Sequence, residues 1–180
     1  MNKTDPDGME ESEIRRMANS GASIGAKMIG IAKELGKDPK RWRSCTTGTC
    51  NLFVGADIKL STGSTPWKGA TPDVHGINEA LKNSKDWQKV WTRDPKDTDS
   101  ASIRKFEKFQ PHDGDVVIWD NQKIQHTAVM DADRKTYYAG SRTTASGYNS
   151  TDVSNYTGTP DRPTNYASPT VIYRHRKSDK

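Results

Sequence analysis

The chain has 180 residues, of which 31% are hydrophobic and 28% charged, with a mean hydropathy of −0.95. That length is enough for one domain with a small core under much loop surface, and no apolar run is long enough to span a bilayer. A net charge of +5 and a pI of about 9.1 favour polyanionic partners, but the sequence has no nucleic-acid-binding motif and no interleaving of aromatic with basic residues.

Residues 1–8 are polar, carry Pro6 and Gly8, and are expected to be disordered. They contain no apolar h-region, so no signal peptide is read there. Residues 9–35 suit helix, because Ile14, Met17, Ile24, Met28, Ile31 and Leu35 recur at spacings of three, four and seven. Gly21 and Gly25 either divide this stretch into two helices or permit close packing. Gly36 is a plausible C-cap, and Asp38-Pro39 closes the element. Lys37, Lys40, Arg41 and Arg43 then form one basic cluster, and Arg174, His175, Arg176 and Lys177 form another near the end.

A small polar loop, Ser44-Cys45-Thr46-Thr47-Gly48-Thr49, runs into Cys50, and Leu52, Phe53, Val54, Ala56 and Ile58 follow. The pattern predicts a loop ending at the first turn of a buried helix, with the Cys50 thiol at that turn. There the unpaired N–H groups and the positive end of the dipole stabilise a thiolate, which is a nucleophile at neutral pH. The same context suits a small buried hydrophobe equally well. Two cysteines make no disulfide framework, and Cys45 is expected to be a free thiol, with a Cys45–Cys50 latch as the alternative.

Residues 60–76 read as a long loop rich in Ser, Thr, Gly and Pro, with Trp67 either a contact for sugar or peptide at a cleft rim or an anchor to the core. Residues 77–91 read as helix with Leu81, Trp87, Val90 and Trp91 facing inward, and His75 before it as a capping or surface histidine. Phe106 and Phe109 are expected to pack the approach to a strand over 115–119, and His112 is structural. Asn121-Gln122-Lys123 turns into a second strand over 124–131, a hairpin signature. After a turn at 132–134 comes a strand over 136–142. Residues 143–169 form a second long loop over the site, 170–176 the last strand, and 177–180 a frayed tail.

His126, near the start of the second strand, has neighbours that look buried, and a neutral imidazole there can accept the Cys50 proton and return it to a leaving amine. Pairing the next hairpin about its turn brings Tyr138, Gly140 and Arg142 close to His126, so Tyr138 is the candidate orienter of the imidazole, with a backbone carbonyl, and hence a Cys-His pair alone, as the alternative. Ser141 and Asp131 fall on the opposite face by alternation. His and Cys are too few and too scattered for a zinc site, so neither metal nor cofactor is expected.

Three segments, Cys50-Asn51-Leu52-Phe53-Val54, Asp113-Gly114-Asp115-Val116-Val117-Ile118-Trp119 and Gln125-His126-Thr127-Ala128-Val129, together resemble the NlpC-like and CHAP-type cysteine amidases, which are papain-like cell-wall hydrolases. The resemblance covers residues 41–142. It implies an α+β, papain-like fold, with N-terminal helices and the Cys50 helix packed on an antiparallel sheet, in one hydrolase domain over residues 9–176. It also implies Cys50 as nucleophile, His126 as base, and amide bonds of the peptidoglycan peptide stem as substrate.

In size and motif the chain is similar to the amidase effectors of the type VI secretion system. That likeness implies synthesis in the cytoplasm and action in the periplasm or cell wall of a target bacterium. It also implies a cognate immunity protein and a secretion-apparatus component as partners. Alternatives of the same chemistry are a phage-type endolysin and a cysteine peptidase or acyltransferase on another substrate. The alternative of a different class is a non-catalytic cell-wall-binding module.

Overall fold

The computed structural model describes residues 11–36, 49–121, 124–132, 137–140, 148–151 and 157–178. Cys45, the basic cluster at 37–43 and the expected disorder of 1–8 lie outside them. In chain order the elements are α1 (Glu11–Ala18), α2 (Ile24–Gly36), α3 (Thr49–Thr62), α4 (Val74–Lys82), β1 (Trp87–Thr92), α5 (Asp99–Phe106), β2 (Asp115–Asp120), β3 (Gln125–Met130), β4 (Tyr137–Gly140), β5 (Tyr148–Thr151), β6 (Gly158–Thr159), β7 (Arg162–Pro163) and β8 (Val171–His175). The fold is α+β. Six strands form one antiparallel sheet in the order β1-β8-β2-β3-β4-β5, and β6 and β7 make a separate small hairpin.

The expected stripe of apolar residues divides at the glycine-rich turn into α1 and α2, and Lys27 Nζ donates to the Ala18 carbonyl at 2.9 Å, satisfying an orphan group of the α1 C-terminus. Met28, Ile31, Ala32 and Leu35 of α2 are buried against Phe53, Val54 and Ile58 of α3 and Ile77 and Leu81 of α4. Strand alternation supplies the other half of this core, Val116, Ile118, Val129, Val171 and Tyr173. The opposite sheet face carries Val117, Trp119, Ala128, Met130 and Ile172, covered by Phe106 of α5 and by Tyr166.

The segment Asp113-Gly114-Asp115 is a structural joint. Gly114 has φ +81°, and a Cβ on it would lie 2.9 Å from Gly25 Cα; a Cβ on Gly25 would lie 2.2 Å from the Asp113 carbonyl oxygen. Two backbones therefore touch where only glycine fits, which fixes α2 against the start of β2. Asp115, fully buried, holds Arg174 of β8 by two hydrogen bonds of 2.7 and 2.8 Å and accepts the His112 N–H. The Asp113 carboxylate accepts the Ala132 N–H at 2.8 Å and so ties the far end of the β2–β3 hairpin to the same joint.

Several expectations are corrected. The helix expected over 77–91 stops at Lys82, and Trp87–Thr92 is an edge strand paired with β8. An aromatic run this short fits either period, and pairing with a segment from the chain end decided it. Residues 99–106, expected only to pack the approach to β2, are a helix capped by Thr98, whose hydroxyl accepts the Ala101 N–H. The second long loop contains β5 and the β6–β7 hairpin. The tail does not fray at Lys177, since Ser178 is buried and donates to the His175 carbonyl. Nor is the terminal basic cluster a free patch: Arg174 is consumed by Asp115, and Arg176 bonds the Lys85 carbonyl and Gln88.

Candidate active site

Cys50 lies in the first turn of α3, as its loop-to-apolar context predicts, and is only partly exposed. The helix packs against α2, β3 and β4, and its first turn reaches the outer edge of β3. Among the described residues β4 pairs with β3 only at Val129 and Met130, so farther along β3 the outward N–H of Thr127 is not used by that ladder. It points instead at the Cys50 sulfur, together with the N–H groups of Asn51 and Cys50 itself. Since the Thr127 amide is the one joining it to His126, the sulfur rests against the peptide that carries the imidazole.

The thiolate expected at this helix mouth is not the resting form. Burial pushes the Cys50 thiol above its ordinary value, and the three N–H groups only partly offset it. The magnitudes account for the sign: a helix N-terminus favours a negative charge by about 0.3–1 kcal/mol, up to about 2 in a partly buried geometry, while removing a charge from water costs several kcal/mol. His126 is displaced the opposite way, its pKa lowered from 6.5 to about 4 by burial. The residue keeps a partly accessible edge, but its Nε2 is fully enclosed. At neutral pH both groups are thus uncharged, a thiol against the backbone that carries His126 and a neutral imidazole.

Two rings pack against the imidazole. Trp119, opposite His126 in the β2–β3 register, lies 5.6 Å away, centroid to centroid, at 36°. Tyr166 stands edge-on to both, 5.6 Å from His126 at 84° and 5.8 Å from Trp119 at 89°. The Cys50 charge also raises the Tyr166 phenol, second to burial, so Tyr166 faces both members of the pair. Sequence reasoning missed Tyr166, because it sits in a stretch of Ser, Thr, Asn and Pro with no periodicity to mark it.

The other candidates fall elsewhere. Tyr138 pairs with Val129, three residues along β3 from His126, or roughly 10 Å. The register is one residue off the expected one, and a one-residue slip exchanges the faces of a strand. The residue that the continued register brings opposite His126 lies outside the described residues. Trp67 is half-buried against the helical-side core, so it anchors its loop. That loop reaches the Cys50 end of α3 at Thr71, which abuts Gly55, and at Pro72, whose carbonyl accepts the Asn51 amide at 2.6 Å.

His75 lies in the first turn of α4, exposed, with Nδ1 2.9 Å from Asp120 Oδ2; that hydrogen bond raises its pKa. Gln125 and Asn78 also donate to Asp120, which makes it the centre of a polar rim beside the hairpin mouth. A polar recess of about 180 Å³, lined by Thr62, Ser84, Trp87 and His175 among others, lies at the opposite end of α3, roughly 18 Å from Cys50. It adds no group to the site. Among the described residues no cluster of His, Cys, Asp and Glu is placed to hold a metal ion, and no helix is long and apolar enough to cross a membrane. Comparison with protein-family models, with curated proteins and with solved structures finds no match to this chain.

Proposed function

We propose that this chain is a cysteine hydrolase of papain-like arrangement that cleaves amide bonds in the peptide stem of bacterial peptidoglycan by way of an acyl-enzyme. The observation that carries the reading is the meeting of Cys50 with the His126 peptide of a distant strand, whose imidazole packs against Trp119 and Tyr166. The order of the three motifs, Cys50 on a helix and His126 on the strand after Asp115–Asp120, supports the family, and the net positive charge suits an anionic wall.

His126 accepts the thiol proton as Sγ bonds to the carbonyl carbon, and the carbonyl π electrons move to oxygen. The N–H groups at the start of α3 meet that oxyanion. Collapse breaks the C–N bond, the imidazolium protonates the leaving amine, and a thioester remains on Cys50. Water then gives a proton to His126 and attacks the thioester, and the proton returns to sulfur.

The biological setting that fits is an antibacterial toxin, made in the cytoplasm and delivered to the periplasm of a target cell by a secretion apparatus, with an immunity protein protecting the producer. Digestion of purified peptidoglycan, with fragments identified by mass spectrometry, tests the activity. Wild type is expected to release new amino termini within the stem and Cys50→Ala none. Equal release by both proteins would overturn the assignment.

A further inference from the structure

Tyr166 is held at the site by more construction than a surface loop needs. The segment from Thr164 to Thr170 crosses the aromatic face of the sheet as a strap. The Thr164 N–H donates to the Thr157 carbonyl at 3.2 Å, and the Ala167 N–H to the Thr164 carbonyl at 3.1 Å. Two indoles then pin it, Trp119 Nε1 donating to the Ala167 carbonyl at 3.4 Å and Trp91 Nε1 to the Pro169 carbonyl at 3.3 Å. The strap closes onto β2 through the Thr170 N–H, which donates to the Ile118 carbonyl at 2.8 Å.

Within it Ala167, 2% exposed, has φ +48°, the one non-glycine residue at positive φ among the described residues. The left-handed conformation is unfavourable for an alanine and persists only where the surroundings over-determine it. Here the surroundings are the two tryptophans, and the residue that the bend aims is Tyr166, immediately before it. An imidazole that takes a proton from sulfur and passes it to a departing amine must keep one ring orientation through both steps.

Building on the hydrolase reading above, we propose that Tyr166 is the positioning residue of the Cys50–His126 pair, its ring clamping the imidazole against Trp119. The strap also keeps water from the imidazole, which is why its proton affinity is low. Tyr166 meets the imidazole through its ring, and the Cys50 charge acts on the Tyr166 hydroxyl. Asp120, one step along β2, belongs by alternation to the other face.

The test compares wild type, Tyr166→Phe, Tyr166→Leu and Tyr166→Gln as full chains. kcat, KM and the acid limb of kcat/KM are measured on a soluble peptidoglycan-derived peptide, and His126 is titrated by NMR without substrate. Tyr166→Phe keeps the ring and is expected to retain kcat within about 3-fold, with the wild-type titration. The Leu and Gln variants are expected to lose about 10–100-fold in kcat with KM little changed. Their His126 titration should climb from about 4 toward 6.5 as water enters, and a role confined to loop stability would not move it.

Folded Leu and Gln variants with wild-type kcat and an unmoved titration would overturn the inference. So would a Phe variant as impaired as they are, since the hydroxyl and not the ring would then be at work. If wild type cleaves no peptidoglycan peptide, it is the hydrolase reading that fails, and the NMR titration still decides whether the ring controls the imidazole.

Discussion

The two faces of the central sheet are built from different side chains and bear different loads. The helix-covered face is aliphatic: Val116, Ile118, Val129 and Val171 meet Met28, Ile31, Leu35, Phe53 and Ile58, closely enough that Gly25 and Gly114 touch backbone to backbone. The other face is aromatic and polar, with Trp119, Phe106, Trp91, Tyr166 and His126, a strained alanine, and the Asp115–Arg174 pair at its base. Packing that tolerates no added atom secures the fold on one side. On the other, burial of His126 and Asp115 costs stability and leaves polar groups within a hydrophobic layer. Cys50 belongs to both, because the first turn of α3 reaches the β3 edge where β4 leaves it.

Substitutions sharpen this contrast in descending order of effect. Phe53→Ala opens a cavity in the aliphatic face and is expected to cost about 3–5 kcal/mol in denaturant unfolding, with kcat of the surviving folded protein unchanged. Arg174→Ala strands the buried Asp115 carboxylate and is expected to cost about 3–5 kcal/mol. Here Arg174→Met with Asp115→Leu should recover much of the loss, and no recovery would argue that the pair has a role beyond the fold.

Acid exposes the penalty carried by the aromatic face. The pKa of His126 falls from 6.5 to about 4 on folding, so between those values the unfolded chain binds more protons. Stability is therefore complete above about 6.5 and is lost as pH falls to about 4, by roughly 3 kcal/mol. His126→Gln should flatten that part of the stability curve; an unchanged curve would mean that His126 is not buried as described.

Asp57, on the aliphatic side, should show the opposite sign. Its carboxyl is fully buried, bonded by Ser61 at 3.0 Å, with Oδ2 unpartnered among the described residues, and burial raises its pKa well above the ordinary value. Folding holds the proton that the unfolded chain releases, so stability falls as pH rises above about 3.8. Asp57→Asn is expected to raise the thermal midpoint by a few degrees at pH 8 and less at pH 4. The smallest effect belongs to His75→Ala on the exposed rim, which should leave the midpoint within about 1 °C.

What was legible in the sequence divides along the same line. The β2–β3 hairpin could be read because two β-branched apolar runs flank a polar turn, and α1 and α2 because Ile14 through Leu35 keep a helical period. The Cys50 turn was legible from the polar loop before it and the apolar run after it. The site's closure was not. Tyr166 owes its place to a bend at Ala167, and no sequence rule marks an alanine for positive φ. β1 depends on pairing with β8 from the chain's far end, and the β3–β4 register turns on one residue in a loop, which misplaced Tyr138. The thiolate expectation failed because the helix dipole is visible in sequence, whereas the depth of burial that outweighs it is a property of the assembled fold.

The central claim is that Cys50 and His126 act as one unit, and a double-mutant cycle on turnover of a peptidoglycan-derived peptide tests it most directly. Cys50→Ala, His126→Ala and the double variant are each expected to lose about the same factor in kcat, on the order of 10³ or more, because groups that share one proton fail together. Losses that multiply in the double variant, or a His126→Ala enzyme within about tenfold of wild type, would contradict it.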